Sequence, residues 1–170
     1  MIRTLIFFLA GILIPIHLFA ESGPFSTPVP SSPGIKLSTL TDPDPVFPGE
    51  RFQLFLSIQI EEGWHIYSLQ PMDGNELLAT RILIEDNVFQ SVEYWKESST
   101  HLIQDDAQAK MVKGHIAHAE FQNFFDVPEL IKPGSYSING KLLYRACDNN
   151  LCTLPQSLPF ITRLQVGAKK

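Results

Sequence analysis

Ten consecutive residues, Arg51–Ile60, alternate strictly, with Phe52, Leu54, Leu56, Ile58 and Ile60 falling on one side. A period of two is the repeat of a strand with one buried face. Phe55 on the opposite side implies partial cover there as well. Further runs of the same kind follow at residues 65–68, 80–85, 92–95, 115–125, 136–144 and 158–166. Gly, Pro, Asn and Asp clusters separate them, as in Glu61-Glu62-Gly63 and Lys132-Pro133-Gly134-Ser135, and such residues set turns. No long segment has a 3.6-residue period. Seven or eight strands without helices predict an all-β antiparallel sandwich, with an open barrel as the alternative. Residues 105–113 alone have a locally helical composition, the alternative there being a mobile loop. No internal repeat is present.

The ends of the chain read differently. Met1-Ile2-Arg3 gives a short positive start, residues 5–19 are almost wholly apolar, and Ala20 supplies a small residue at a cut site. That is the pattern of a cleavable secretory signal over residues 1–20. Pro15 and His17 interrupt the apolar run, which is short for a membrane span, and a retained anchor is the alternative reading. Residues 21–34 form a Pro/Ser-rich lead with Pro24, Pro28, Pro30 and Pro33, a composition that favours extended, solvated backbone. One domain over residues 35–166 and a tail at 167–170 complete the expected organisation. The formal charge of the 170-residue chain is -5, and loss of Arg3 makes the mature chain one unit more negative. No basic cluster exceeds Lys169-Lys170, so nucleic acid is not the expected partner.

Two cysteines, Cys147 and Cys152, are the chain's complement. They cannot build a disulfide-framed miniprotein, so the fold rests on its core. A bridge closing so short a loop stabilises by roughly 2 kcal/mol, against about 3 for fifteen residues. As a redox couple the spacing serves well, because one thiolate can attack a partner while the other resolves the mixed disulfide. Asp148-Asn149-Asn150 supplies turn formers that let the sulfurs meet. Asp148 would raise a neighbouring thiol's pKa and Arg145 would lower it. Spacing alone leaves a structural staple and a redox switch both open.

Other candidates have plainer readings. His101, His115 and His118 with Met111 offer donors for a soft metal, but their scatter matches no compact ligand pattern. Neither a metal nor a cofactor is therefore expected. Asp105 and Asp106 with Glu97 read as a solvated face. There is no nucleotide-binding loop and no supported Ser/His/Asp triad.

The segment Tyr144-Arg-Ala-Cys147-Asp-Asn-Asn-Leu-Cys152-Thr-Leu-Pro155 resembles the active-site hairpin of the periplasmic N-terminal domain of DsbD, the thiol:disulfide interchange protein. Glu62-Gly-Trp-His65-Ile-Tyr67 resembles a Gly-aromatic-x-x-Tyr stretch on a neighbouring strand of that domain. The resemblance runs from about Ile35 to Val166. It implies an immunoglobulin-like sandwich, a periplasmic location, and passage of reducing equivalents between thioredoxin-fold proteins, among them disulfide isomerases and cytochrome c maturation proteins. By position, Cys152 would form the mixed disulfide and Cys147 would resolve it, with His65 and Tyr67 bordering the pair. A cap loop over the disulfide would fall at residues 97–112, where His101, Leu102, Ile103 and Met111 are the candidate covering residues. The family's full-length protein continues into membrane helices and a thioredoxin-like domain. For a chain ending at Lys170, a separate membrane-linked reductant and a monomer are expected.

Overall fold

The structure is a computed structural model and describes residues 33–168. The expected signal at 1–20 and most of the lead at 21–34 lie outside the described residues.

Among the described residues, twelve strands, all paired antiparallel, make three sheets of an immunoglobulin-like sandwich. In the first, β1 (Ile35–Asp42), β2 (Arg51–Ile60), β9 (His118–Asp126) and β5 (Gln90–Ser91) lie in that order, and β6 (Lys96–Glu97) also pairs with β9. The second runs β12 (Gln156–Val166), β10 (Gly134–Tyr144), β4 (Arg81–Ile84). The third runs β11 (Ala146–Cys147), β3 (His65–Tyr67), β8 (Lys110–Ile116), β7 (His101–Asp105).

The alternation of β2 is realised as written: its five even-numbered apolar residues are buried. They meet Ala119, Phe121 and Phe125 of β9, Ile138 and Leu142 of β10, and Phe160 and Leu164 of β12 in one core. Phe52 stacks on Phe125 at 5.5 Å and meets the edge of Phe89 at 5.1 Å. Each such large side chain contributes about 1.5–3 kcal/mol by leaving water.

Three local expectations are corrected, and one strand is added that no expectation covered. Residues 105–113 are neither a helix nor a mobile loop but a β-hairpin, with Asp105 paired to Lys110 and a turn between them. Long-range pairing of β8 with β3 overrides the helical propensity of Ala107, Gln108 and Ala109. Residues 92–95 are not a strand: the pairings fall on either side, at β5 and β6. The run at 115–125 is interrupted at Ala117, whose φ of 60° takes the chain from the third sheet into the first. Finally, Ile35–Asp42 is a full strand paired along β2, although its inward face carries Thr39 and Thr41 where apolar residues would have announced it.

The third sheet positions the cysteines. Its two faces separate neighbouring residues: Ile66 and Ala146 join the main core, while Tyr67 and Cys147 enter a second cluster with Leu78 and Val112. Close approach of β3 and β8 depends on Gly114. A Cβ there would lie well inside van der Waals contact distance of the Ile66 carbonyl oxygen.

Candidate functional site

Cys147 and Cys152 form a disulfide across a short hairpin, with Cα atoms 4.0 Å apart. Turn chemistry closes it. Oδ1 of Asp148 accepts the backbone N–H groups of Asn150 and Leu151 at 2.7 and 2.8 Å. The Asp148 N–H reaches the Leu151 carbonyl at 3.0 Å, and the Ala146 N–H donates to Oγ1 of Thr153 at 3.1 Å. The loop is thus held by its own residues. The two sulfurs differ in access: Cys147 has no exposed surface, whereas Cys152 is partly exposed.

Register brings β3 against this hairpin. Cys147 is opposite His65, and Tyr67 emerges from the same face two residues on. The Tyr67 hydroxyl lies 2.9 Å from Sγ of Cys147 and 3.6 Å from Sγ of Cys152. It donates to Oδ2 of Asp105 at 2.5 Å, and Nε2 of His65 is 3.4 Å from the same oxygen. The other Asp105 oxygen accepts the Gln108 N–H at 3.0 Å, while the Gln108 amide donates to Sγ of Cys152 at 3.4 Å. Burial, reinforced by the Asp105 hydrogen bond and charge, raises the Tyr67 phenol well above its ordinary pKa. Burial pushes the His65 imidazole below its usual value, and Asp105 opposes that shift. A carboxylate, a phenol and an imidazole therefore converge beside the bond that would break.

The expected reading of Asp105 and Glu97 as a solvated face is wrong. Asp105 is 1% exposed and sits beneath the disulfide. Glu97 is largely enclosed, its carboxylate accepting the Ser68 hydroxyl at 2.5 Å and the Leu69 N–H at 2.9 Å, with Nε2 of His115 at 3.0 Å. Burial pushes the Glu97 carboxyl up, but its hydrogen bonds with His115, Ser68 and Leu69 outweigh this and hold it below the ordinary range. Between the folded and unfolded pKa values the unfolded chain binds more protons, so Glu97 stabilises above about pH 4.5 and this is lost as pH falls through its folded value. Denaturant unfolding at pH 7 and pH 4 should therefore show a loss of stability at the lower pH that is smaller in Glu97→Gln. An equal loss in both proteins would contradict this assignment.

Of the cap candidates, only Ile103 packs against the cysteine cluster. Leu102 and Met111 are exposed, as is His101. Residues 97–112 contribute instead through Ile103, Asp105 and Gln108, the first two being on one face of β7. The scattered histidines are not brought together: His115 is engaged with Glu97 and His118 with Ser57. A cleft of about 490 Å³ opens between β3 and the cysteine hairpin's loop, lined by Trp64, His65, Ile103, Ile116 and Asn149 among others. Asp105, Gln108 and Glu97 were missed because their partners lie far off in sequence. The signal that could have found Asp105 is its place two residues after Ile103, once 101–116 is read as a hairpin.

No protein-family profile and no curated protein matches the sequence. Solved structures do match. The N-terminal periplasmic domain of ScsB from Proteus mirabilis superposes with a TM-score of 0.53 at 17% identity, covering 76% of this chain and 45% of that one. That likeness shows a shared fold. The reduced DsbD N-terminal domain of Neisseria meningitidis also matches, with a TM-score of 0.40 at 12% identity over 66% of this chain and 80% of that one. The chain thus spans about half the length of the ScsB structure. Among the described residues no helix is long and apolar enough to cross a membrane.

Proposed function

We propose that the protein is a periplasmic thiol–disulfide exchange module, exported through its N-terminal signal, that passes reducing equivalents between thioredoxin-fold proteins through Cys147 and Cys152. The observation that carries this reading is the asymmetry of the disulfide: a partly exposed Cys152, and a buried Cys147 backed by Tyr67 and Asp105.

Loading begins when a partner thiolate attacks Sγ of Cys152. The Cys147–Cys152 bond breaks, its electron pair goes to Cys147, and a mixed disulfide joins Cys152 to the partner. The departing Cys147 thiolate forms 2.9 Å from the Tyr67 oxygen, and the phenol proton, which Asp105 accepts in the disulfide form, turns to the thiolate and stabilises its charge. The partner's second thiolate then attacks its own bridged sulfur and releases Cys152. The module now holds two thiols and the partner a disulfide. Delivery is the reverse: Cys152 attacks an oxidised acceptor, Cys147 attacks Cys152, and the acceptor leaves as a dithiol. The reductant is expected to be membrane-linked, and the acceptors isomerase-like or cytochrome c maturation-like proteins.

A non-catalytic binding module with a structural bridge is the second reading, favoured by the complete burial of Cys147. Mixing the reduced protein with an oxidised thioredoxin-fold protein, then counting thiols by alkylation mass shift, separates the two. Exchange predicts that two thiols disappear from this chain as two appear in the acceptor. No transfer on a timescale of hours would remove the proposal.

A further inference from the structure

Among the described residues, one group of side chains has the composition and spacing of a metal site, and it lies in the redox centre. His65, Asp105 and Cys147 each offer one donor atom, all within 4.8 Å of one another, and all three residues are buried. Buried donors differ from surface acids in that hydration does not compete for them. Cys152 brings a fourth donor as soon as the disulfide is opened.

We propose that the reduced, dithiol form of this protein binds one zinc-class divalent cation through Cys147, Cys152, His65 and Asp105, and that the disulfide form does not.

Donor chemistry selects the ion. Two thiolates, one imidazole and one carboxylate are the borderline-soft set that suits tetrahedral Zn²⁺, whereas Cu(I) is selected by thiolate and thioether sulfur. The geometry agrees. Tetrahedral bond lengths near 2.0–2.3 Å place nitrogen and oxygen ligands about 3.3 Å apart. Nε2 of His65 and Oδ2 of Asp105 are 3.4 Å apart. The surroundings resemble a supporting shell: Tyr67 holds Oδ2 of Asp105, Gln108 N–H holds Oδ1, and the Gln108 amide reaches Sγ of Cys152. Entry is available along the cleft that His65 lines and past the partly exposed Cys152.

The steps balance. A dithiol reductant supplies two electrons and two protons to the disulfide, yielding two thiols and becoming a disulfide itself. Zn²⁺ then displaces the two thiol protons. The site itself requires only that the disulfide be reducible. Its consequence, that bound metal occupies both sulfurs and halts transfer, rests on the exchange reading above.

The test uses the full mature chain, reduced with a phosphine, desalted anaerobically, and titrated with Zn²⁺ against a chromogenic chelator. Co²⁺ serves as the spectroscopic probe. The expected result is one Zn²⁺ per reduced chain, none per oxidised chain, and thiolate-to-cobalt charge transfer with tetrahedral ligand-field bands. His65→Ala and Asp105→Asn, checked for retained fold by circular dichroism in the oxidised state, should each weaken Zn²⁺ binding at least tenfold. Equal binding by oxidised and reduced protein would overturn the proposal. So would absence of the charge-transfer band, wild-type affinity in both variants, or binding of Cu(I) without Zn²⁺. Transfer to an oxidised acceptor in the presence of a chelator is measured separately, so the metal site and the exchange role stand or fall independently.

Discussion

Cys147→Ser is expected to accumulate as a covalent, dithiothreitol-sensitive adduct with a thioredoxin-fold partner, and Cys152→Ser to form little or none. The difference follows from access. A partner's sulfur must approach in line with the bond it breaks, and Cys152 is the cysteine that presents surface, while Cys147 has none. With Cys147 replaced, the mixed disulfide on Cys152 loses its resolving thiol and persists. With Cys152 replaced, the remaining thiol lies under Leu78, Val112 and Ile103. Non-reducing electrophoresis of periplasmic extracts, followed by identification of the adducts, reads the outcome. Capture by Cys152→Ser in preference to Cys147→Ser would reverse the assigned roles. Capture by neither would remove the shuttle reading.

Tyr67→Phe should slow reduction of the disulfide by a dithiol about 100-fold, within the range typical of a positioned proton-donating group. The phenol is the only side-chain hydroxyl within hydrogen-bond distance of Sγ of Cys147 among the described residues, and Asp105 holds its proton until the thiolate forms. Phenylalanine keeps the ring and its edge contact with His65, so the fold should persist. Loss of the hydroxyl also deprives a buried carboxylate of its shortest hydrogen bond, for a stability cost of about 1–3 kcal/mol. Stopped-flow reduction and denaturant unfolding together distinguish the effects: a merely structural role would move stability and leave the rate within about threefold. That second pattern would show that Tyr67 packs beside the cysteines without assisting the leaving thiolate.

Much of the scaffold was legible because it is local. The alternation of Arg51–Ile60 announces a half-buried strand, and Glu61-Glu62-Gly63 announces the turn before β3. The cysteine hairpin is equally local, since Asp148 caps the loop that its own neighbours form. What the sequence concealed depends on register between distant segments. Asp105 reads as solvated in Asp105-Asp106-Ala107-Gln108, and only the pairing of β7 with β8, and of β8 with β3, carries it under Tyr67. Glu97 is concealed likewise, because Ser68 and Leu69, just past β3, and His115 of β8 come to it from distant parts of the sequence. Ala117 shows the converse case, where a pattern that looks continuous is cut by one residue of positive φ. The apolar cap candidates shared a composition, yet strand alternation turned Leu102 outward and Ile103 toward the cysteines.

The measurement that tests the central claim most directly is the reduction potential of the Cys147–Cys152 couple. It is obtained by equilibrating the protein in dithiol/disulfide buffers and counting alkylated thiols at each poise. A couple that cycles with thioredoxin-fold partners must be reducible by them, and its potential should lie above about -300 mV, in the range of exchange proteins. A potential below about -300 mV, where structural disulfides of secreted proteins resist reduction, would contradict the account and leave the bridge as a staple.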